Sequence, residues 1–529
     1  MLIGYVSDES YRAIPDVLLE FRAADGGSWE TRSRASGSII LDLPPGTFEV
    51  VLQKEGYGSK RVRLKLPTPE PYSFRLLSDG LVGFAWPKAI RCGERGEFRI
   101  HATEPYQVSL WRYGWTKEKV AELGWHDEHG PRAMMQITPD GDYSQSGVRW
   151  NQVGYSGGNS QHEVMAPKRT GLHYFHAETA SGDRFAFPWV VAPHQPGSRV
   201  AVLASDLTWN AYNSFGGRGN YLNAQGLPAE PIVNSRQDLS RFADAGRGTW
   251  GYAHYPPLSF ERPEPINTIA LEEQITDPIE GRSACHVAPA EWRLFGWLER
   301  QGFLPDLYSE TQFHRGCVDL SAYKVLILGA HPEYWTRAMY FRLKRWVFEE
   351  GGRLMYLGGN GLNCEVEWEA DHTMRVFNGQ IRGLWPEGIG AESRFAARVE
   401  SEASLLGVVF NPAGAMTAAP YRVIESDHWV FEGTGLQKGD LFGLKSLHKR
   451  CPGGASGHET DKISPHSPKH LVHLAKGENS DEGGADMILY ATPSGGMVFS
   501  AGSISYPACL PVDDLLSRIT DNVLRRFLE

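Results

Sequence analysis

From the N-terminus, apolar and polar positions alternate in short runs: LIGYVSD, DVLLEFRA, SGSIILDL, GTFEVVLQKEGY and KRVRLKL, with turn residues between them at Pro15, Gly26 and Gly27, Pro44 to Gly46, and Gly56 to Gly58. A period of two sends alternate side chains to one face, so residues 1–78 predict a small antiparallel β-sandwich. The same grammar continues through LVGFAWP, GEFRIHA, YQVSLWRYG, GLHYFHAET and RFAFPWVVAP, interrupted near 115–165 by a stretch rich in glycine and charge. Residues 79–196 therefore predict a second β-sandwich with one long loop, and the prolines of VVAPHQPG mark a linker.

After Gly197 the pattern changes. SRVAVLAS, KVLILGA, RLMYLGGNG and GGMVFSAGSIS are short, nearly continuous apolar runs, the mark of strands buried on both faces. Between and after them, AEWRLFGWLERQG, TRAMYFRLKRWVFEEGG and PVDDLLSRITDNVLRRFL repeat apolar residues at helical spacing, the first two ending on glycine. Alternating strands and helices predict a doubly wound α/β domain over 197–529, with a parallel sheet covered on both faces. Residues from about 370 to 490 are less regular and read as an insertion over the end of that sheet.

Composition narrows the class. A chain of 529 residues is too long for one core, and 41% hydrophobic residues with 16 Trp suit well-packed globular units. The net charge of −10 is spread over interspersed signs, which leaves no basic footprint for nucleic acid or an anionic membrane surface. No window approaches the roughly 18 uninterrupted apolar residues of a membrane span. The N-terminus enters a strand without the features of a secretory leader, and the six cysteines lie far apart with no CxxC pair, so reduced thiols in a cytoplasmic protein are expected.

Open α/β sheets bind ligands beyond the carboxyl ends of their strands. Four such exits, SDLTWNAYNSFGGRGNY, GAHPEYW, GGNGLN and SAGSISY, carry a high density of Tyr, His, Glu, Asn and Ser. Glu333 leaves a buried strand and precedes a helix, where a carboxylate can ligate metal or simply cap the helix. His331, two positions earlier, can move protons. The sharp turn has no cysteine and the chain has no G-x-S-x-G elbow, so acyl-enzyme chemistry is disfavoured.

TWNAYNSFGG, GAHPEYW, LGGNG, HWVFEGTGLQKGDLFG, GHETD and VFSAGSISY follow one another as in the N,N-dimethylformamidase large (beta) subunit family, which residues 80–529 resemble. The first 78 residues resemble a carboxypeptidase regulatory-like module, and the α/β layout is similar to that of class I glutamine amidotransferases. The resemblance implies one iron ion held by two tyrosines and a glutamate. Carried over, these are Tyr212, Glu333 and a second tyrosine that best fits Tyr252, with Tyr255 and Tyr221 as alternatives. Hard, anionic oxygen donors suit ferric iron. The likeness also implies that His331 transfers a proton or stabilises an oxyanion, that Asn360 orients substrate or water, and that Glu459 faces the metal as a further acid or base. Asp427, His428 and Glu432 are alternatives for that wall, and Ser503 is a weaker supporting residue. The implied reaction is hydrolysis of the C–N bond of a small N-substituted amide or formamide, in a homo-oligomer with or without a small accessory subunit. Two rivals stand beside it: a non-catalytic binding protein built on a degenerate scaffold, and a zinc-dependent amidohydrolase.

Overall fold

The computed structural model describes residues 1–9, 11–78, 80–127, 147, 162–216, 219–220, 230–231, 257–281, 283–370, 372–377 and 392–529. It is a strand-rich, multi-sheet molecule. In the first 78 residues a three-stranded sheet (Ser38–Ile40, Leu2–Ser7, Tyr72–Arg75) faces a four-stranded one (Ser28–Arg32, Leu18–Ala23, Gly46–Lys54, Tyr57–Leu66). The alternate apolar residues that predicted these strands meet between the sheets, Val6, Leu19, Phe21, Val50 and Phe74 among them. A second pair follows: Glu163–Met165, Arg95–His101 and Val82–Trp86 in one sheet, and Lys117–His126, Tyr106–Tyr113, Gly171–Thr179, Arg184–Ala192 and Ala89–Arg91 in the other. Phe98, Phe175, Phe187 and Trp189 fill the space between them.

The largest sheet has nine strands. From one edge they run Asp306–Ser309, Val200–Ala204, Val325–Ala330, Arg353–Gly358, Met497–Ser500, Asp486–Ala491, Val472–Gly477, Tyr421–Val423 and Leu441–Phe442. The first five pair in parallel and the remaining joins are antiparallel. Period two explains how this sheet is covered. Val200, Val202, Ile327 and Met355 pack with the helices Ala288–Arg300 and Asp514–Leu528. Ala201, Leu203, Leu328 and Leu354 pack on the other side with the helix Arg337–Phe348. Four of the nine strands come from 421–491, a stretch read from the sequence as an irregular insertion. Two of them are only two and three residues long, too short for periodicity to register. All six cysteines are free thiols. No helix among the described residues is long and apolar enough to cross a membrane.

Candidate functional site

The carboxyl ends of the parallel strands meet a loop from the antiparallel half of the same sheet. Strand Val200–Ala204 passes through Ser205 into a seven-residue helix, Asp206–Tyr212. Ser205 makes no side-chain cap, and its N–H is taken instead by both oxygens of Glu291, at 3.3 Å each, while Glu291 also accepts from the Trp209 indole at 3.1 Å. This buried carboxylate ties the short helix to the longer Ala288–Arg300 and so sets where Tyr212 lies. Strand Val325–Ala330 ends with Ala330 at φ 53°, which turns the chain sharply into His331, Pro332 and Glu333. The Glu333 N–H donates to Thr208 Oγ1 at 3.1 Å, joining the two exits.

Strand Arg353–Gly358 ends in a turn whose third residue, Asn360, has φ 50°. Its N–H donates to Asp461 Oδ1 at 2.8 Å, and the Tyr356 hydroxyl donates to Asp461 Oδ2 at 2.7 Å while accepting the Gly361 N–H at 2.7 Å. Gly359 leans on the loop that carries Glu459. A Cβ there would stand 2.5 Å from the Glu459 carbonyl oxygen and 2.6 Å from the Ile504 nitrogen, so only glycine fits. Ser503 secures the same loop, its hydroxyl donating to Ala455 O at 2.7 Å and accepting the Gly457 N–H at 2.8 Å.

These supports bring five of the sequence candidates together. Tyr212 donates its hydroxyl hydrogen to Glu333 Oε2 at 2.8 Å. His331 Nε2 lies 3.2 Å from that same oxygen, 3.4 Å from Glu459 Oε2 and 3.4 Å from Asn360 Nδ2. Asn360 Nδ2 donates to Glu459 Oε2 at 2.8 Å. Glu333 is fully buried and His331 is 1% exposed, whereas the Glu459 side chain is 19% exposed and opens the cluster to solvent.

Burial and charge divide the protons unevenly. Burial pulls His331 down, but Glu333 and Glu459 outweigh it and hold the imidazole above its ordinary value. Burial pushes Glu333 up, beyond what His331 draws back. Burial acts on Glu459 in the same sense, yet the hydrogen bond and charge of His331, with His458 and Asn360, bring it below the usual carboxylate range. The imidazole thus lies between two carboxylates, and the better-solvated of them is the more readily ionised.

The donors fit a hard cation. Glu333 Oε1 and Asn360 Oδ1 are buried with no hydrogen-bond partner. Among the described residues no group of three or more His, Cys, Asp or Glu is arranged to hold a metal. A set of two phenolates and one carboxylate would contain only one residue of those kinds. The second-tyrosine candidates, Tyr252, Tyr255 and Tyr221, lie outside the described residues.

Among the described residues, Asp427, His428 and Glu432 form no hydrogen bond or ion pair with this cluster. His428 Nδ1 instead accepts the Val430 N–H at 3.4 Å in a local turn, and Asp427 and Glu432 are exposed. Sequence reasoning missed three buried histidines. His286 Nδ1 lies 3.1 Å from His331 Nδ1, and His448 Nε2 lies 2.9 Å from His458 Nδ1. His458 could have been found beside Glu459 in GHETD; His286 and His448 sit in segments without periodicity.

Together these features define a multi-sheet protein whose α/β sheet gathers a phenol, two carboxylates, an imidazole and an amide at its strand ends. Residues 107–521 match the family described as N,N-dimethylformamidase beta subunit-like, C-terminal, and the chain belongs to that family. It is 27% identical over 292 residues to the N,N-dimethylformamidase beta subunit of Alcaligenes sp, and 27% identical over 288 residues to that of Paracoccus aminophilus. Each alignment covers 46% of this chain and 37% of the relative. The major pilin subunit of Bacillus cereus aligns with 38% of this chain and 71% of its own at 9% identity, but at a TM-score of 0.14 the likeness carries no argument about architecture.

Proposed function

We propose that this chain carries the active site of an iron-dependent amide hydrolase acting on the C–N bond of a small N-substituted amide or formamide. The observation that carries the reading is the convergence of Tyr212, Glu333, His331, Asn360 and Glu459 within 3.4 Å steps of one another. The name of the relatives, N,N-dimethylformamidase, supports the substrate class. The reading of the C-terminal unit as amidotransferase-like rests on five adjacent parallel strands with helices on both faces.

Tyr212 and Glu333 would hold the ion, with one of Tyr252, Tyr255 or Tyr221 completing the set. When bound, ferric iron supplies Lewis acidity that polarises a carbonyl and acidifies water. Glu459, ionised and partly open to solvent, accepts a proton from the attacking water. His331 delivers its Nε2 proton to the departing nitrogen as the C–N electron pair collapses onto it, and Glu459 returns the proton it took across 3.4 Å. Asn360 holds Glu459 in line through its Nδ2. A second subunit is proposed from the relatives' description as beta subunits, alongside self-association.

Elemental analysis and an absorption spectrum of the purified chain test the metal, and a screen of short N-alkyl amides tests the reaction. Stoichiometric iron with visible phenolate charge-transfer colour and turnover of a formamide support the reading. A colourless zinc protein would redirect it to a zinc hydrolase, and a metal-free, inactive chain to a binding subunit.

A further inference from the structure

The mechanism above uses one nitrogen of His331 and leaves the other unexplained. Nε2 faces Glu333, Glu459 and Asn360. Nδ1 faces the Nδ1 of His286 at 3.1 Å. Two imidazole nitrogens can share a hydrogen bond only if one bears a hydrogen and the other a lone pair. Once His331 has given up its Nε2 proton, it is neutral only as the Nδ1–H tautomer, and that tautomer requires an acceptor opposite Nδ1. His286 stands there.

Its ring is fixed in place. It meets Tyr212 edge to face at 4.4 Å between centroids and His458 at 5.4 Å, the residue is 3% exposed, and its backbone N–H donates to Ser283 O at 3.0 Å two residues before the helix Ala288–Arg300 begins. The titratable and charged groups around it are His331, His458, Arg450 and His448. At 3.1 Å the two Nδ1 atoms share one hydrogen, and His286 offers the lone pair that the Nδ1–H tautomer of His331 needs.

We propose that His286 is a positioning residue for His331: it accepts the Nδ1 hydrogen, fixing the ring so that Nε2 points at the departing nitrogen. The arrangement assigns to an imidazole the orienting part that a carboxylate plays behind the histidine of a hydrolase triad. The inference rests on the amide-hydrolase reading for its kinetic arm but not for its spectroscopic one.

The test compares the full chain with His286→Asn, whose amide oxygen can accept at nearly the same place, and with His286→Leu, which cannot. On a formamide that the wild type hydrolyses, His286→Leu is expected to lower kcat by about 10- to 100-fold with KM within about 2-fold, and His286→Asn to stay within about 3-fold of wild type. Equal losses in both variants, or no loss in either, overturn the proposal. In a second arm, isotope-edited infrared spectra with labelled histidine, taken as differences against His331→Asn, isolate the ring N–H bands of His331 in the protein as purified. A band characteristic of hydrogen-bonded Nδ1–H that shifts in His286→Leu supports the proposal, and a band unchanged by that substitution sinks it. If the wild type hydrolyses no amide, the functional reading fails and the infrared arm still decides the role of His286.

Discussion

Buried histidines occur in two regions of this molecule, and one of them, His331 at the strand ends, behaves in the opposite way to those of the second sandwich. In the second sandwich, His173 Nδ1 faces the Gly171 carbonyl at 3.1 Å, and His176 Nε2 meets the Tyr113 hydroxyl at 2.7 Å. Burial pushes His173 down to about 3, and His101 and His176 to about 4. At the strand ends His331 is equally buried, yet two carboxylates raise it. Desolvation acts in the same direction in both places, so the neighbouring charge decides which histidine can act as an acid near neutrality. The histidines of GLHYFHAET, a strand of this sandwich, are packing residues.

The sharpest way to break this contrast is to mutate each kind. His331→Asn and Glu333→Gln are each expected to lower kcat/KM for a formamide by about 10²–10⁴-fold, whereas His173→Asn leaves it unchanged. Steady-state kinetics on the three variants check this.

A pH series gives the next largest effect. The unfolded chain protonates its histidines near 6.5, while the folded sandwich refuses those protons until about 4, so stability is retained above pH 6.5 and lost as pH falls through that window. Each such histidine is worth up to about 3 kcal/mol by the low end, read from denaturant midpoints at fixed salt. His173→Leu should flatten that loss at a cost of about 1–3 kcal/mol at neutral pH, since it removes a buried hydrogen bond.

Two buried carboxylates of the C-terminal part contribute the reverse slope. Burial pushes Glu291 and Glu402 up to about 8, so they keep their protons when folded, and the stability this confers below pH 4.5 is lost as pH rises toward 8. Glu291→Gln is expected to make melting temperature less sensitive to alkali, by a degree or more over that range. Smallest of all, Asp427→Asn should change stability by less than about 0.5 kcal/mol and activity not at all, because Asp427 is exposed and its side chain bonds only locally, to Ser426.

How far the sequence could be read depended on the length of its signals. Glu333 and Asn360 were legible because each follows an uninterrupted buried strand, and a strand's carboxyl end is a place with a known use. The two β-sandwich patterns were legible because period two is repeated over many residues. The antiparallel half of the nine-stranded sheet was not, since its edge pairs Tyr421–Val423 and Leu441–Phe442 are held by tertiary partners rather than by pattern. Nor was the Asp461 latch, which reaches Asn360 across 101 residues of chain, or His286, which meets His331 across 45. Contacts of that kind leave no periodic trace.

The bare α-carbon of Gly359, pressed against the carbonyl of Glu459, has a consequence for variation at this site. The loop is seated by main chain on main chain, with the Ile504 N–H donating to that same carbonyl at 3.3 Å. That contact does not depend on which side chain stands at 459, so exchanging Glu459 would change the charge facing the cluster without removing this part of the loop's support. Any residue but glycine at 359 would lift the whole loop, and with it every group that Glu459 serves.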